Sequence, residues 1–181
     1  SGKVYNINDK NRFQFAGGRI QNRFDGPNRG EMELDIGQYE KIEYFDYMDD
    51  VCILVRAQMI NAIGSYDEDF FFDYEETEWN HRIRTNNYKI VYNPKMKAWH
   101  RLHGSSNGVN YTPFTFFYHW RGKILFIYKT KSGSNQFYSL LFQLFINIPV
   151  KLGILIKNNN SHLIPSLLKG ILSAFKRLVQ L

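Results

Sequence analysis

The sequence predicts a mixed α/β domain over residues 1–110, followed by a helical, basic and apolar extension over 111–181. Three observations carry this reading. In the first part, short strand-like segments flank two helix-patterned stretches, with Gly, Asp and Asn clusters between them. Beyond Thr112 the pattern changes to long aromatic and apolar runs with helical spacing. Charge also divides along the chain: all 17 acidic residues lie at or before Glu78, and Trp79–Leu181 holds 15 Lys and Arg with no acid.

The elements follow in order. FQFAGGRIQNRF (13–24) alternates around Gly17-Gly18 and predicts a hairpin within 4–24. Residues 25–41, DGPNRGEMELDIGQYEK, are polar and turn-rich and read as a loop. Val51–Val55 reads as a short buried strand, and RAQMINAIG as a short helix stopped by Gly64. SYDEDFFF is a turn with an aromatic plug. YEETEWNHRIRTNN is a helix of about three turns, its acids in the first turn where the helix dipole favours them. YKIVYNP and KMKAWHR are strands separated by Asn93-Pro94, and HGSSNGVN is a loop.

TPFTFFYHWRGKILFIYKT then predicts an aromatic, basic helix. QFYSLLFQLFINIPVKLGILI is apolar enough to suggest a membrane span, but Pro149 and Lys151 interrupt it. KNNNS is a linker. In LIPSLLKGILSAFKRLVQL the apolar positions recur with helical period, and Lys169, Lys176 and Arg177 fall on the other face.

Composition excludes several classes. The chain is 44% hydrophobic and 17% aromatic, so it can bury a core and is not a disordered tail. One cysteine, Cys52, rules out an internal disulfide framework and points to a reducing compartment. Nucleic acid is not the expected partner: the basic residues are dispersed among apolar helices, not interleaved with aromatics on a strand platform.

The densest acid cluster lies in FFFDYEETEWNHR (70–82). On a helix, Glu75, Glu78, Trp79 and Arg82 share a face, and Glu78 with Arg82 forms a stabilising i, i+4 pair. Glu76 points about 100° away from Glu75. It is either a solvated first-turn acid or a carboxylate desolvated beside Phe70–Phe72 and poised as a base. Asp49-Asp50 either line a cleft or cap a turn. Asp67-Glu68-Asp69 spells D-x-D but reads as turn chemistry. His100 and His103, in WHRLHGSS, are weak metal-ligand candidates by spacing alone.

Taken together, DYMDDVCILVR, AIGSYDEDFFFDYEETEWNHRIR, YKIVYNPKMKAWH and GSS resemble the C-terminal half of the catalytic domain of family 2 glycosyltransferases, in the rhamnosyltransferase-like branch. The matching positions are Gly64, Tyr66, Asp67, Glu68, Phe70, Phe71, Glu75, Glu76, Trp79, Arg82 and His100, and the resemblance runs from about Val4 to Ser106. It implies a portion of a GT-A-like fold and an inverting transfer of sugar from a nucleotide-sugar donor to a glycan or lipid-linked acceptor. Glu76 would be the general base, with Glu75 as the alternative. Asp49, Asp50 and Trp79 would face the acceptor, and His100 would help hold a divalent ion, Mn or Mg, on the donor. Glu78 and Arg82 would support the helix.

Two departures stand out: Glu76 replaces the usual Asp, and Asp49-Asp50 replace small residues. The family's nucleotide-binding half would precede Ser1, so the chain reads as a C-terminal piece of such an enzyme. The non-catalytic alternative is a half-domain that holds a carbohydrate or a partner. The C-terminal helices resemble membrane-associated tails. They imply a cytoplasmic protein peripheral on an anionic inner membrane face, with a homodimer through these helices as a further expectation.

Overall fold

A computed structural model describes residues 1–19, 28–101 and 112–180. The protein is mixed α/β and divides into two compact units. The first comprises Ser1–Tyr66 and Glu76–Gly108; the second comprises Asp67–Glu75 and Val109–Leu181. The short stretch 67–75 is thus grouped with the C-terminal helices.

In the first unit, β1 (Lys3–Asn6) and β2 (Asp9–Phe15) form a hairpin, upstream of the one expected over 13–24, whose second arm lies outside the described residues. Its turn is not at Gly17-Gly18. It lies at Ile7-Asn8, where the Asn8 N–H donates to the Asn6 side chain at 2.9 Å. The glycines serve close packing instead: a Cβ on Gly17 would meet the Phe45 ring at 2.7 Å, and one on Gly18 would meet the Tyr47 ring at 2.8 Å. Gly17 also has a φ of 111°.

The strand β3 (Glu43–Phe45) pairs antiparallel with β4 (Ile90–Tyr92), while β5 (Lys97–His100) joins β1 in parallel. The two strands flanking Asn93-Pro94 therefore enter different sheets, one ordered β2-β1-β5 and the other β3-β4. The helices α1 (Ala57–Ile63) and α2 (Glu75–Thr85) form as the pattern predicts, and Gly64, at φ 79°, ends α1. The core gathers Tyr5, Phe13, Phe45, Met48, Trp79, Ile83, Ile90 and Tyr92.

The expected strand at Val51–Val55 is absent. A single 3-10 turn, Asp50–Cys52, stands there, and Leu54 is 82% exposed. The Asp49 side chain takes the Val51 N–H at 2.9 Å, a local bond that turns the chain out of extended geometry.

Residues 28–41 are irregular, as expected, and a buried cation ties them to the sheet. Lys3, on β1, is fully buried and binds Asp35 at 2.8 Å and also Glu40; the Tyr5 hydroxyl donates to Asp35 at 2.5 Å. Burial alone would push the Asp35 carboxyl up. Lys3, Tyr5 and the Gly37 N–H outweigh it and hold it at about 2. A carboxyl depressed on folding stabilises above its unfolded pKa, and that stability is lost as pH falls from about 4 through about 2. Asp35→Asn is therefore expected to cost about 2 kcal/mol at neutral pH, a penalty that shrinks as pH falls below about 4 and is mostly gone near pH 2. Urea unfolding of both proteins across that range measures the difference; a gap unchanged by pH would refute the linkage.

In the second unit, Asp67–Phe70 is a turn: the Asp67 side chain accepts from the Asp69 N–H at 3.0 Å, and the Phe70 N–H donates to the Asp67 carbonyl at 2.9 Å. The turn is pinned to α3 (Pro113–Thr130) by Lys129, whose amine bridges Asp67 and Asp69 at 2.6 and 2.5 Å. Arg177 adds 2.6 Å to Asp69. Of the Phe triplet only Phe70 is buried. Phe71 is 69% exposed and lies against Phe114 and Tyr118 of α3, so the triplet is not the sheet plug the sequence suggested.

Helix α3 opens with a capping box between Thr112 and Thr115, with Pro113 in its first turn. The segments α4 (Gly133–Phe142) and α5 (Ile148–Lys157) run on as one helix of 25 residues, joined by a π turn over Gln143–Asn147. Pro149 does not interrupt it, because that wider turn takes up the mismatch left by the missing N–H. By length and composition this helix could cross a membrane. The last helix, α6 (Ile164–Leu178), lays Leu167, Gly170, Ile171 and Ala174 against α3, so its apolar stripe is largely covered by the protein itself.

Candidate functional site

The first unit brings an adjacent pair of carboxylates together with a third that is distant in sequence. Asp49, Asp50 and Glu76 each present an oxygen, and all three oxygens lie within 4.8 Å of one another. Two local structures produce this. The Asp49 cap turns residues 49–52 into a 3-10 turn, which leaves both aspartates on one bend. Glu76 stands in the first turn of α2, where the dipole favours an anion.

A buried amide holds the two pieces in register. Asn80, one turn beyond Glu76 and 1% exposed, donates to the Met48 carbonyl at 3.0 Å and accepts from the Met48 N–H at 3.2 Å. It also donates to the Glu76 carbonyl at 2.7 Å. The chain just before Asp49 is thereby lashed to the helix that carries Glu76. Nothing in the residue pattern singles out Asn80 except that an Asn inside a helix is disfavoured without a partner.

Tyr47 is the other member that sequence reasoning missed. Its hydroxyl donates to Glu76 Oε1. Burial, and then the negative charges of Glu76, Asp49 and Asp50, push the phenol far above its ordinary range, so it remains a donor. Gly18 makes room for its ring, and Phe15 meets that ring edge-on at 6.1 Å. The Tyr66 hydroxyl reaches toward Asp50 at 3.5 Å.

The remaining candidates fall in different places. Trp79 does not face an acceptor: it is 4% exposed, donates from Nε1 to the Gly64 carbonyl at 3.0 Å and packs on Tyr66, so it belongs to the core. Glu75 opens α2 and is half-buried, one residue round the helix from Glu76 and outside the carboxylate cluster. Glu78 and Arg82 pair at 2.7 Å; Arg82 also donates to the carbonyls of Ile63 and Ser65 at 2.6 Å each, which ties α2 to the end of α1.

His100 ends β5, and Gln14 clasps both its ring, at 2.9 Å from Nδ1, and its carbonyl, at 3.0 Å. It is near enough to act on the Asp49 charge but is not one of the clustered ligand atoms. The set the fold gathers is therefore carboxylates without the histidine. His103 lies outside the described residues.

Three oxygen donors with no nitrogen or sulfur suit a hard divalent ion such as Mg2+ or Mn2+. The electrostatics agree. Burial pushes the Asp49 carboxyl up and the neighbouring Asp50 charge adds to it, against the Val51 N–H and His100, so ionising Asp49 is costly in the empty cluster and a cation would relieve that cost. A carboxyl raised on folding loses stability as pH climbs through its folded pKa. Asp49→Asn keeps the cap, since Asn caps as well as Asp, and removes one charge. The variant is expected to be more stable at neutral pH and to lose cation binding. Thermal unfolding and Mn2+ titration together check this; a less stable variant that still bound Mn2+ would refute it.

Comparison of the chain with family models, curated proteins and solved structures found no match.

Proposed function

We propose that this chain forms the acceptor side of an inverting glycosyltransferase that uses a nucleotide-sugar donor and a glycan or lipid-linked acceptor, with a GT-A-like arrangement. The observation that carries the proposal is the convergence of Asp49, Asp50 and Glu76 on one bend beside the first turn of α2. In this reading Glu76 takes the proton from the acceptor hydroxyl as it attacks the anomeric carbon. Tyr47, donating to Oε1, fixes the orientation of that carboxylate. Asp49 and Asp50 would hold a divalent ion, Mn or Mg, which supplies Lewis acidity toward a leaving diphosphate when bound. Asn80 keeps the bend and the helix at working distance.

The second unit suits a surface role at an anionic membrane on the cytoplasmic side. Its helices from Pro113 onward carry no acid, and of the most apolar window in Gly133–Lys157 only 17% is buried.

The test pairs binding with turnover. Calorimetric titration of Mn2+ and Mg2+ into the chain is expected to show saturable binding that strengthens as pH rises and Asp49 ionises. The intact enzyme is then assayed with a panel of nucleotide sugars, with and without the ion. Absence of cation binding and of transfer with every donor would remove the proposal.

A further inference from the structure

A cavity of about 380 Å3 in the first unit has none of the clustered carboxylates in its lining, which includes Arg19, Asn28, Arg29, Glu33, Tyr39 and Phe45. Arg29 is unusually constrained there. Its guanidinium stacks on the rings of Tyr39 and Phe45 at 4.5 and 4.4 Å, and also lies 5.0 Å from Tyr92. Nε donates to the Ala16 carbonyl at 2.7 Å and Nη1 to Glu43 at 2.6 Å. Nη2 is buried and, among the described residues, has no hydrogen-bond partner. A shielded, charged N–H without an acceptor is costly, and such a group in a folded protein calls for an absent acceptor.

The rest of the lining narrows what that acceptor belongs to. Arg19, exposed, stands over the Phe45 ring at 5.5 Å and brings a second guanidinium to the cavity. Two guanidiniums select an oxyanion. Glu33 opposes a bare anion. Its carboxylate accepts from the Tyr39 hydroxyl at 2.8 Å and from the Gln38 amide at 3.2 Å. A ligand that carries hydroxyl donors beside its oxyanion turns Glu33 from a repulsive group into an acceptor, and the Asn28 amide serves the same hydroxyl-bearing part.

We propose that this cavity binds a hydroxylated anion, a sugar bearing a carboxylate or a phosphate group. Arg29 Nη2 and Arg19 take the oxyanion, and Glu33 and Asn28 take ring hydroxyls. The cavity and the carboxylate cluster are joined through one strand segment: Gly18 bridges both Asn28 and Tyr47. The site goes beyond the transferase reading and does not depend on it, because its occupancy is read without turnover.

The experiment is calorimetric or NMR titration of the full chain with glucuronate, glucose 6-phosphate, glucose and inorganic phosphate in parallel. At least one hydroxylated anion is expected to bind about ten-fold or more tightly than either glucose or phosphate, in keeping with one charge-assisted hydrogen bond. Which of the two binds more tightly identifies the oxyanion. Arg19→Ala is expected to weaken that binding about ten-fold without moving the thermal midpoint, since Arg19 is exposed. Glu76→Gln is expected to leave it unchanged, so failure of the transferase reading and failure of this site give different results. Binding no tighter than that of glucose or phosphate, or undiminished in Arg19→Ala, overturns the proposal.

Discussion

Glu76→Gln is expected to lower sugar transfer by the intact enzyme by about 10²–10⁴-fold, the range a positioned general base contributes, while donor affinity stays in place. The substitution is nearly isosteric. It preserves an acceptor for the Tyr47 hydroxyl and leaves the Asn80 clasp, which uses the Glu76 main chain, untouched. It also removes a charge from a crowded cluster, so it should not unfold the first unit. Mn2+ titration of the same variant then separates two roles for the carboxylate. If Glu76 acts on the acceptor, cation affinity changes little and turnover collapses. If it chiefly ligates, affinity and turnover fall together. Tyr47→Phe gives a third reading: a positioning role predicts a reduced turnover number with the acceptor's apparent affinity largely retained. Wild-type turnover in Glu76→Gln would remove this residue from the mechanism.

The second large effect concerns the helical unit. Gly170 sits where α6 crosses α3, and a Cβ there would overlap the Phe117 carbonyl. That neighbour is backbone, so it cannot rotate aside. The helices can approach this closely only because position 170 lacks a side chain. Gly170→Val is expected to destabilise the unit by about 3 kcal/mol, the upper part of the usual range for overpacking. Leu167→Ala, a truncation at the same interface, should cost about 2–5 kcal/mol by leaving a cavity. Thermal unfolding followed by circular dichroism measures both. A wild-type midpoint in Gly170→Val would mean that α6 does not pack on α3 as described.

Much of the local structure was legible because it depends on neighbours in sequence. The stop of α1 at Gly64, the span of α2 with its Glu78–Arg82 pair, the strands around Asn93-Pro94 and the D-x-D turn all follow from short-range chemistry. The misread segments share a different cause. Val51–Val55 has strand composition, but a single side-chain bond from Asp49 to the Val51 N–H redirected the chain. The family resemblance implies that Trp79 faces the acceptor, but a Trp on a helix can face either way; packing against Tyr66 and the bond to Gly64 bury it. Phe70–Phe72 stand beside the acids in sequence, yet Phe71 and Phe72 lie against α3 residues about 40 positions further on, a pairing no local period encodes.

The candidate site divides along the same line. By itself the sequence determined which residues could bear the chemistry: Glu76, and Asp49 with Asp50, were visible as unusual acids beside apolar runs. It also determined the acid-free second half and the helical period of its segments. Only the tertiary structure decided that these three acids meet, that Tyr47 and Asn80 complete the arrangement, that His100 stands outside it, and that Arg29 carries a buried N–H without an acceptor among the described residues. The physical reason is one of range. Periodicity, capping and dipoles act over a few residues and are written in the order of the chain. A carboxylate cluster depends on bonds such as Asn80 to Met48, across 32 positions, whose partners are set by which surfaces fold together.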